Sequence, residues 1–341
     1  MVTLALVTAC GGGGGDDTGS VTATPDLTPV ADSNRVNIPA SDERTRPASG
    51  IFSTVSAPVK TNGIALFDDA GVQTVNSDRV TSSPGLRYGD FLVSNNPWNA
   101  SAASYPGWFQ DISLYPAAAG YGVQFDWDWG AVGDLNTANN ATVFDTKSYP
   151  EVIYGTKSAG EVSGNFDETG LPVEIFDAPS ITIDYAFQYE GRRSASPTSG
   201  GTDSEFNIAV ESFYHDSCDI RRNGDSNDNT VFEAMVWLKL DERTPSGQAP
   251  RGVVPTSDGR LYDVYTKSDN NAYIAFVAQD ENLSGTIMYS ELLNHAQDNA
   301  SQYGIYQLKS TDCLANILMG TEIWHGAGSF NLNEYTIHRT Y

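Results

Sequence analysis

Short runs of alternating apolar and polar residues, separated by clusters of Gly, Asn, Asp and Ser, dominate this chain beyond residue 50. The alternation is found in residues 125–129, 180–187, 206–214, 231–240, 272–278 and 330–338. A side-chain period of two puts successive residues on opposite faces of a strand, so each run can cover a core with one face. Turn-forming clusters between such runs are typical of antiparallel sheets. The pattern therefore predicts an all-β protein.

One segment departs from this alternation and predicts a helix. The apolar residues of Ser290–Gln297 have helical spacing, and Ser290 is placed to cap the helix. About a dozen short strands with one short helix are the profile of a two-sheet β-jelly-roll sandwich. Two further possible strands, Gly63–Asp68 and Gly71–Val75, have no assigned place in this scheme.

The first fifty residues differ in composition from the rest of the chain. Residues 1–10 form a short apolar run that ends in small residues before Cys10, as in a bacterial lipobox, although no Lys or Arg precedes the run. An ordinary strand or core cysteine is the alternative for Cys10. Residues 11–50 are rich in Gly, Ser, Thr and Pro, as is typical of a flexible linker. We expect a lipoprotein anchored in the outer membrane, periplasmic or on the cell surface, or a secreted protein.

Two other cysteines, Cys218 and Cys313, remain once Cys10 is assigned to lipidation. In an exported protein they could form a disulfide, or they could stay as two buried thiols. The sequence leaves both possibilities open.

The balance of charges limits the partners of the protein. The chain has 43 acidic and 19 basic side chains, a formal net charge of −24. This excess repels nucleic acid and anionic membranes, so we expect no nucleic-acid partner and membrane contact only through the lipid anchor. Acidic polysaccharides are disfavoured for the same reason, and no cluster of Arg or Lys suits a polysaccharide lyase. We expect a monomer that acts on a neutral substrate.

The strand predicted over residues 231–240 places an acid among large apolar side chains. Glu233, Met235 and Trp237 share one face of it. The opposite face suits the layer between two sheets and consists of Phe232, Ala234, Val236 and Leu238. An acid beside an indole suits a sugar-binding surface, where aromatic rings cover the C–H faces of pyranose rings. An edge-strand Glu with incidental apolar neighbours is the alternative.

A second acid alternates with an indole near the C-terminus. Glu322 and Trp324 share one face of their segment, and the glycines around them allow close approach of the backbone. Cleavage of a glycosidic bond needs one carboxylic acid and one carboxylate on opposite sides of that bond. Glu233 and Glu322 supply this pair if the fold brings their strands together.

Five short segments, in chain order, carry a resemblance to a known family. They are Asn95–Trp98, Tyr149–Gly155, Glu233–Trp237, Gly320–Glu322 and Trp324–Gly328. Together they resemble the motifs of glycoside hydrolase family 12, which are endoglucanases and xyloglucanases with a β-jelly roll, over residues 86–341. The resemblance implies a catalytic jelly-roll domain within 51–341, in which residues 51–84 form an unplaced N-terminal extension.

The resemblance also implies a chemistry. It makes Glu233 the nucleophile and Glu322 the general acid/base of a retaining endo-β-1,4-glucanase acting on cellulose-type, mixed-linkage or xyloglucan chains. Substrate-binding residues implied by the resemblance are Asn96, Trp98 and Met235, and the facing of strand residues adds Trp127 and Trp324. The sequence makes no choice among the three glucans.

One position departs from the family pattern. Where the family has an Asp that hydrogen-bonds the nucleophile, this chain has Glu211, in Ala209–Phe213. The additional methylene either shifts that hydrogen bond or rearranges the pocket. A solvent-facing strand residue is the alternative interpretation of Glu211.

No metal or organic cofactor is implied. Residues 225–229 begin like a calcium-binding loop but lack the Gly and Glu that complete one, and the four histidines have no zinc-site spacing. The main alternative to an enzyme is a non-catalytic, glucan-binding surface lipoprotein of the same fold.

Overall fold

The computed structural model describes residues 72–76, 85–88, 91–96, 107–117, 120–130, 146–158, 161–162, 169–195, 204–220, 230–240, 243–245, 249–267 and 272–341. All of them belong to the unit Ala40–Tyr341. The predictions for residues 1–50 with Cys10, for Gly63–Asp68 and for Trp98 lie outside the described residues. No helix in the described ranges has the length and apolar character needed to cross a membrane.

Strands make up most of the described chain. They are β1 (Val72–Asn76), β2 (Gly85–Tyr88), β3 (Phe91–Ser94), β4 (Phe109–Ala117), β5 (Gly120–Asp128), β6 (Glu151–Ser158), β7 (Glu161–Val162), β8 (Val173–Glu174), β9 (Ser180–Arg192), β10 (Glu205–His215), β11 (Thr230–Leu240), β12 (Gly252–Pro255), β13 (Leu261–Thr266), β14 (Tyr273–Ala278), β15 (Ser284–Ile287), β16 (Cys313–Leu314), β17 (Asn316–Gly320), β18 (Ile323–His325) and β19 (Ala327–Thr340). Two α-helices, α1 (Tyr289–Asp298) and α2 (Ala300–Tyr303), and a 3₁₀ turn at Ile175–Asp177 complete the described elements.

The strands form two sheets packed face to face. The smaller sheet has the order β1-β4-β5-β19-β9-β15, and the larger has the order β12-β13-β14-β11-β10-β17-β6-β3-β2. Among the described strands, β11 and β14 are the one parallel pair along these two orders. Four short strands add to the larger sheet off this path: β16 and β18 pair with β10, β7 pairs with β6, and β8 pairs with β16. This arrangement confirms the predicted all-β two-sheet sandwich.

The core lies between the two sheets, and the alternation along β11 determines which side chains enter it. The predicted inward set of β11 is buried in the main cluster, as Phe232, Ala234, Val236 and Leu238. The opposite set, which includes Met235 and Trp237, packs in a separate cluster on the other face of the larger sheet. We call this second face the outer face of the larger sheet.

The side chain of Trp127 lies in a different place from the one that the sequence predicts. Its side chain on β5 is fully buried between the sheets and packs edge-to-face on Phe206, with ring centroids 5.1 Å apart. The prediction that Trp127 faces the substrate is therefore wrong. On β5, Phe125 and Trp127 alternate with Asp126 and Asp128, so the aromatic residues share one face of the strand, and that face turns inward.

The N-terminal extension contributes an edge strand. β1 pairs antiparallel with β4, with Val72 opposite Ser113 and Asn76 opposite Phe109. The strand predicted over Gly71–Val75 is thus present within one residue, and its place is the border of the smaller sheet.

The helical region agrees in position with the prediction but differs in its details. Helix α1 begins at Tyr289 after Met288, with no side-chain cap, so the prediction that Ser290 caps it is wrong. The Ser290 hydroxyl instead accepts a hydrogen bond from the backbone N–H of Ile181, at 2.7 Å. A second short helix, α2, follows directly and ends at Gly304, whose φ of 69° is left-handed.

A disulfide joins the two cysteines whose state the sequence left open. Cys218 and Cys313 are bonded, with their Cα atoms 5.3 Å apart. Cys313 lies on β16, opposite His215 at the end of β10. The bond therefore ties the segment after β10 to the C-terminal part of the chain.

Candidate active site

The predicted acids of β10 and β11 lie side by side on the outer face. Residues directly opposite in paired strands point to the same face of a sheet. Phe213 of β10 lies opposite Glu233 of β11, and Glu233 lies opposite Tyr273 of β14. Glu211 lies opposite Met235, so Glu211 and Glu233 are diagonal neighbours. A side-chain hydrogen bond joins the two carboxyl groups.

Glu322 reaches the same face from the connection between β17 and β18. The side-chain amide of Asn207, on β10, donates to one carboxylate oxygen, and the hydroxyl of Thr146 donates to the other at 3.2 Å. The side-chain oxygen of Asn207 also accepts the backbone N–H of Glu322, at 2.9 Å. Because both its backbone and its carboxyl group are bonded to Asn207, Glu322 is held in one position on the sheet.

Gly320 is required by a close approach of two strands next to Glu322. A Cβ atom at Gly320 would lie 2.4 Å from the carbonyl oxygen of Pro150 and 2.9 Å from the Cβ of Glu151. Neither atom belongs to a flexible side-chain end, so any larger residue would separate β17 from β6. The glycine two positions before the acid is thus explained by packing.

The pKa of Glu322 is raised from its usual 4.5 to about 7. Burial is the largest cause, and the negative charge of Glu233 adds to it. The hydrogen bonds from Asn207 and Thr146 and the positive charge of Lys267 act in the opposite direction. A carboxyl group with this pKa retains its proton in mildly acidic solution and can serve as an acid.

Glu211 and Glu233 form a hydrogen-bonded pair in which the pKa of Glu211 is raised more than that of Glu233. The pKa of Glu211 is raised well above its usual value, first by burial and then by the negative charge of Glu233. Burial also raises the pKa of Glu233, but the positive charge of Lys267, the hydrogen bond with Glu211 and the charge of Lys157 lower it. Glu211 therefore holds the proton and donates it in the hydrogen bond, and Glu233 is the anion. Glu211 is buried, which excludes the solvent-facing alternative.

Three other predicted site residues, Met235, Trp324 and Asn96, also lie on the outer face. Met235 accepts a hydrogen bond at its Sδ from the indole N–H of Trp237, at 3.4 Å. The rings of Trp237 and Trp324 lie 6.0 Å apart, and the guanidinium of Arg243 lies 5.0 Å from the Trp324 ring. Asn96 is half-buried beside β6 and donates from its amide to a carboxylate oxygen of Glu151, at 3.0 Å. The structure thus brings five of the predicted site residues onto one sheet face with Glu211: Glu233, Glu322, Met235, Trp324 and Asn96.

Four residues of this region were not among the predicted site residues: Asn207, Glu151, Lys157 and Lys267. Asn207 alternates with Ala209 and Glu211, so its facing was available from the sequence, but no motif marked it. Glu151 is fully buried and pairs with Lys157, with Nζ and Oε1 2.5 Å apart. In the ranges that the structure describes, no group of three or more His, Cys, Asp or Glu residues could hold a metal ion.

The raised pKa of Glu322 predicts a stabilising substitution at alkaline pH. The folded protein binds this proton more tightly than the unfolded chain, so the free energy of unfolding falls as pH rises from about 4.5 to about 7. Glu322→Gln has no proton to lose, so this decrease is absent from the variant. Its free energy of unfolding, relative to that of the unchanged protein, should therefore rise by up to about 3 kcal/mol as the pH goes from 4 to 8. Urea unfolding at both pH values measures the difference. Glu334→Gln, at an exposed position of β19, is the control, and a difference for Glu322→Gln that does not vary with pH would contradict the assigned pKa.

Solved structures of glycoside hydrolases share this fold. The native family 12 xyloglucanase from Bacillus licheniformis is 19% identical, with a TM-score of 0.57 over 79% of this chain and 99% of its own. Endoglucanase 3 of family 12 from Trichoderma harzianum is 21% identical, with a TM-score of 0.52 over 80% and 100%. An endoglucanase from Rhodothermus marinus is 18% identical, with a TM-score of 0.51 over 73% and 92%.

At these identities the similarity establishes a common fold, and the predicted resemblance to family 12 is confirmed at that level. No protein-family model matches the sequence, and no curated protein matches it.

Proposed function

We propose that this chain is a retaining glycoside hydrolase of the family 12 type that cleaves internal β-1,4 bonds of neutral β-glucans. One observation carries the proposal: two carboxyl groups of opposite protonation state meet on one sheet face. Glu322 has a pKa of about 7 and holds its proton below that pH, whereas Glu233 is the anion of its pair with Glu211. A retaining hydrolase needs this combination of a carboxylic acid and a carboxylate nucleophile.

The first chemical step forms a glycosyl-enzyme. A carboxylate oxygen of Glu233 attacks the anomeric carbon, and the bond from that carbon to the glycosidic oxygen breaks. The proton of Glu322 passes to the departing oxygen, so the leaving sugar departs as a neutral alcohol. Asn207 holds Glu322 in position for this transfer through two side-chain hydrogen bonds.

The second step releases the product. Glu322, now an anion, accepts a proton from water while the water oxygen attacks the anomeric carbon, and the ester bond to Glu233 breaks. Two inversions at one carbon give a product with the configuration of the substrate. Glu211 then donates its hydrogen bond to the regenerated Glu233 carboxylate.

The substrate class is inferred from the fold neighbours and from the outer face. The neighbours are a xyloglucanase and endoglucanases by name. The indoles of Trp237 and Trp324 lie close to one another near the proposed reacting groups, and indole faces suit pyranose rings. The net charge of −24 favours an uncharged polymer.

A polymer panel with anomer analysis tests the proposal. We expect hydrolysis of at least one of three polymers: an uncharged soluble cellulose derivative, mixed-linkage β-glucan and xyloglucan. The β-anomer should be the first product in NMR spectra taken before mutarotation. The α-anomer would contradict the role of Glu233 as nucleophile. Binding to these glucans with no release of reducing ends would instead support the non-catalytic glucan-binding protein.

A further inference from the structure

Lys267 brings a positive charge to the catalytic carboxyl groups from the side opposite Glu211. It follows β13 directly, and its Nζ lies 4.1 Å from the centre of the Tyr273 ring. Tyr273 begins β14 and lies opposite Glu233 in the parallel pair of β11 and β14. Because β11 lies between β14 and β10, Glu233 has Glu211 on one side and the Lys267–Tyr273 contact on the other.

Lys157, the second lysine whose charge lowers the pKa of Glu233, is already paired. Lys157 forms an ion pair with Glu151, at 2.5 Å. Lys267, by contrast, has no carboxylate within ion-pair distance in the described part of the chain. Tyr273 provides no charge, because burial raises its pKa well above 10.

The charged groups that act on Glu233 and Glu322 leave one anion and one cation once the paired and protonated groups are set aside. Below about pH 7 Glu322 holds its proton, and Glu211, whose pKa is raised well above its usual value, holds the proton of its pair with Glu233. Among the charged groups that act on Glu233 and Glu322, and once Lys157 is paired with Glu151, Glu233 is the remaining anion and Lys267 the remaining cation. Lys267 interacts electrostatically with both Glu233 and Glu322.

We propose that Lys267 is a positioning residue that serves as the counter-ion of the catalytic pair in both halves of the reaction. This inference rests on the proposed function. In the first step Glu233 becomes a neutral ester and Glu322 becomes an anion, so one negative charge moves between two carboxyl groups that both interact with Lys267. A fixed cation near both groups stabilises the anion wherever it resides, and desolvation of the face strengthens the effect.

Removal of this charge should change the pH dependence of the reaction. Glu233 must be an anion to attack, so in Lys267→Met the acidic limb of the kcat/KM profile should move to higher pH. At pH 5 the loss should be roughly ten-fold relative to the profile maximum, the size expected for one opposite charge near a desolvated carboxylate. Lys267→Arg should restore most of the activity, because it restores the charge. Lys309→Met, at an exposed position between α2 and β16, is the matched control and should leave the profile unchanged.

A second measurement does not depend on turnover. NMR spectra of protein labelled with ¹³C at the glutamate side-chain carboxyl carbons follow the titration of Glu233 directly, with Glu233→Gln for assignment. The Glu233 signal should titrate at higher pH in Lys267→Met than in the unchanged protein, and Lys267→Gln serves if the Met variant does not fold. Identical titration in all of these variants overturns the role of Lys267, even if the enzyme cleaves glucans. Absence of hydrolysis by the unchanged protein overturns the proposed function, whereas the titration still decides whether Lys267 is the counter-ion of Glu233.

Discussion

Glu233→Ala should react with neither a polymeric glucan nor a dinitrophenyl cello-oligoside, whereas Glu322→Ala should fail on the polymer and still form the glycosyl-enzyme from the dinitrophenyl cello-oligoside. Without Glu233 no covalent intermediate can form, whatever the leaving group. Without Glu322 the departing oxygen receives no proton, which costs about 10²–10⁴-fold for a sugar leaving group and much less for dinitrophenolate. Stopped-flow detection of dinitrophenolate measures formation of the intermediate in each variant.

The two variants should also differ after the first step. Glu322→Ala lacks the base for attack by water, so its turnover should stall at the glycosyl-enzyme, and added azide should restore it by forming a β-glycosyl azide. Azide needs no deprotonation, because it is already an anion. Glu334→Ala, at an exposed position of the other sheet, is a control that should retain full activity. An exchange of the two behaviours would reverse the assigned roles, and full activity of both variants would contradict the assignment of Glu233 and Glu322 as the catalytic pair.

Loss of the disulfide should produce the largest change in stability. Cys218 and Cys313 are 95 positions apart, and a cross-link over a loop of this length stabilises a protein by about 4–5 kcal/mol in the chain-entropy model. Cys218→Ala combined with Cys313→Ala should therefore lower the free energy of unfolding by an amount of this order. Urea titration of the double variant, compared with the unchanged protein under oxidising and reducing conditions, measures the loss.

A further comparison separates the cross-link from the packing of its atoms. Cys313 is buried, and Cys218→Ala alone breaks the bond while it leaves the Cys313 side chain in place. We expect the single variant to lose most of what the double variant loses. Equal stability of the single variant and the oxidised protein would show that the loop closure contributes little.

The alternation of apolar and polar residues predicted where the strands lie, but it did not always predict which face of a strand packs in the core. The two faces of β11 could be assigned because Phe232 and Val236 alternate with Glu233 and Met235 over a long strand. On β5 the same rule separated the faces but could not tell the core from the outer surface, since large aromatic residues suit either one. Trp127 was misplaced for this reason.

The supporting residues of the site depend on contacts between distant parts of the chain. Asn207 holds Glu322 because β10 and the β17–β18 connection are neighbours in the sheet. The sequence of either segment alone does not predict this contact. The hydroxyl of Ser290 is bound by Ile181 for the same kind of reason. Glu322 and Glu233 were identifiable because each lies within a short motif, whereas Lys267 acts from a position that no motif includes.

The order of strands has a consequence for the synthesis of this protein. β17 lies between β10 and β6 in the larger sheet, and β19 lies between β5 and β9 in the smaller one. Both are central strands, yet among the described strands they are translated near the end. While they remain inside the ribosome, each sheet is divided in two and presents unpaired edges that can associate with other chains. The nascent chain therefore depends on protection from aggregation until its last strands emerge.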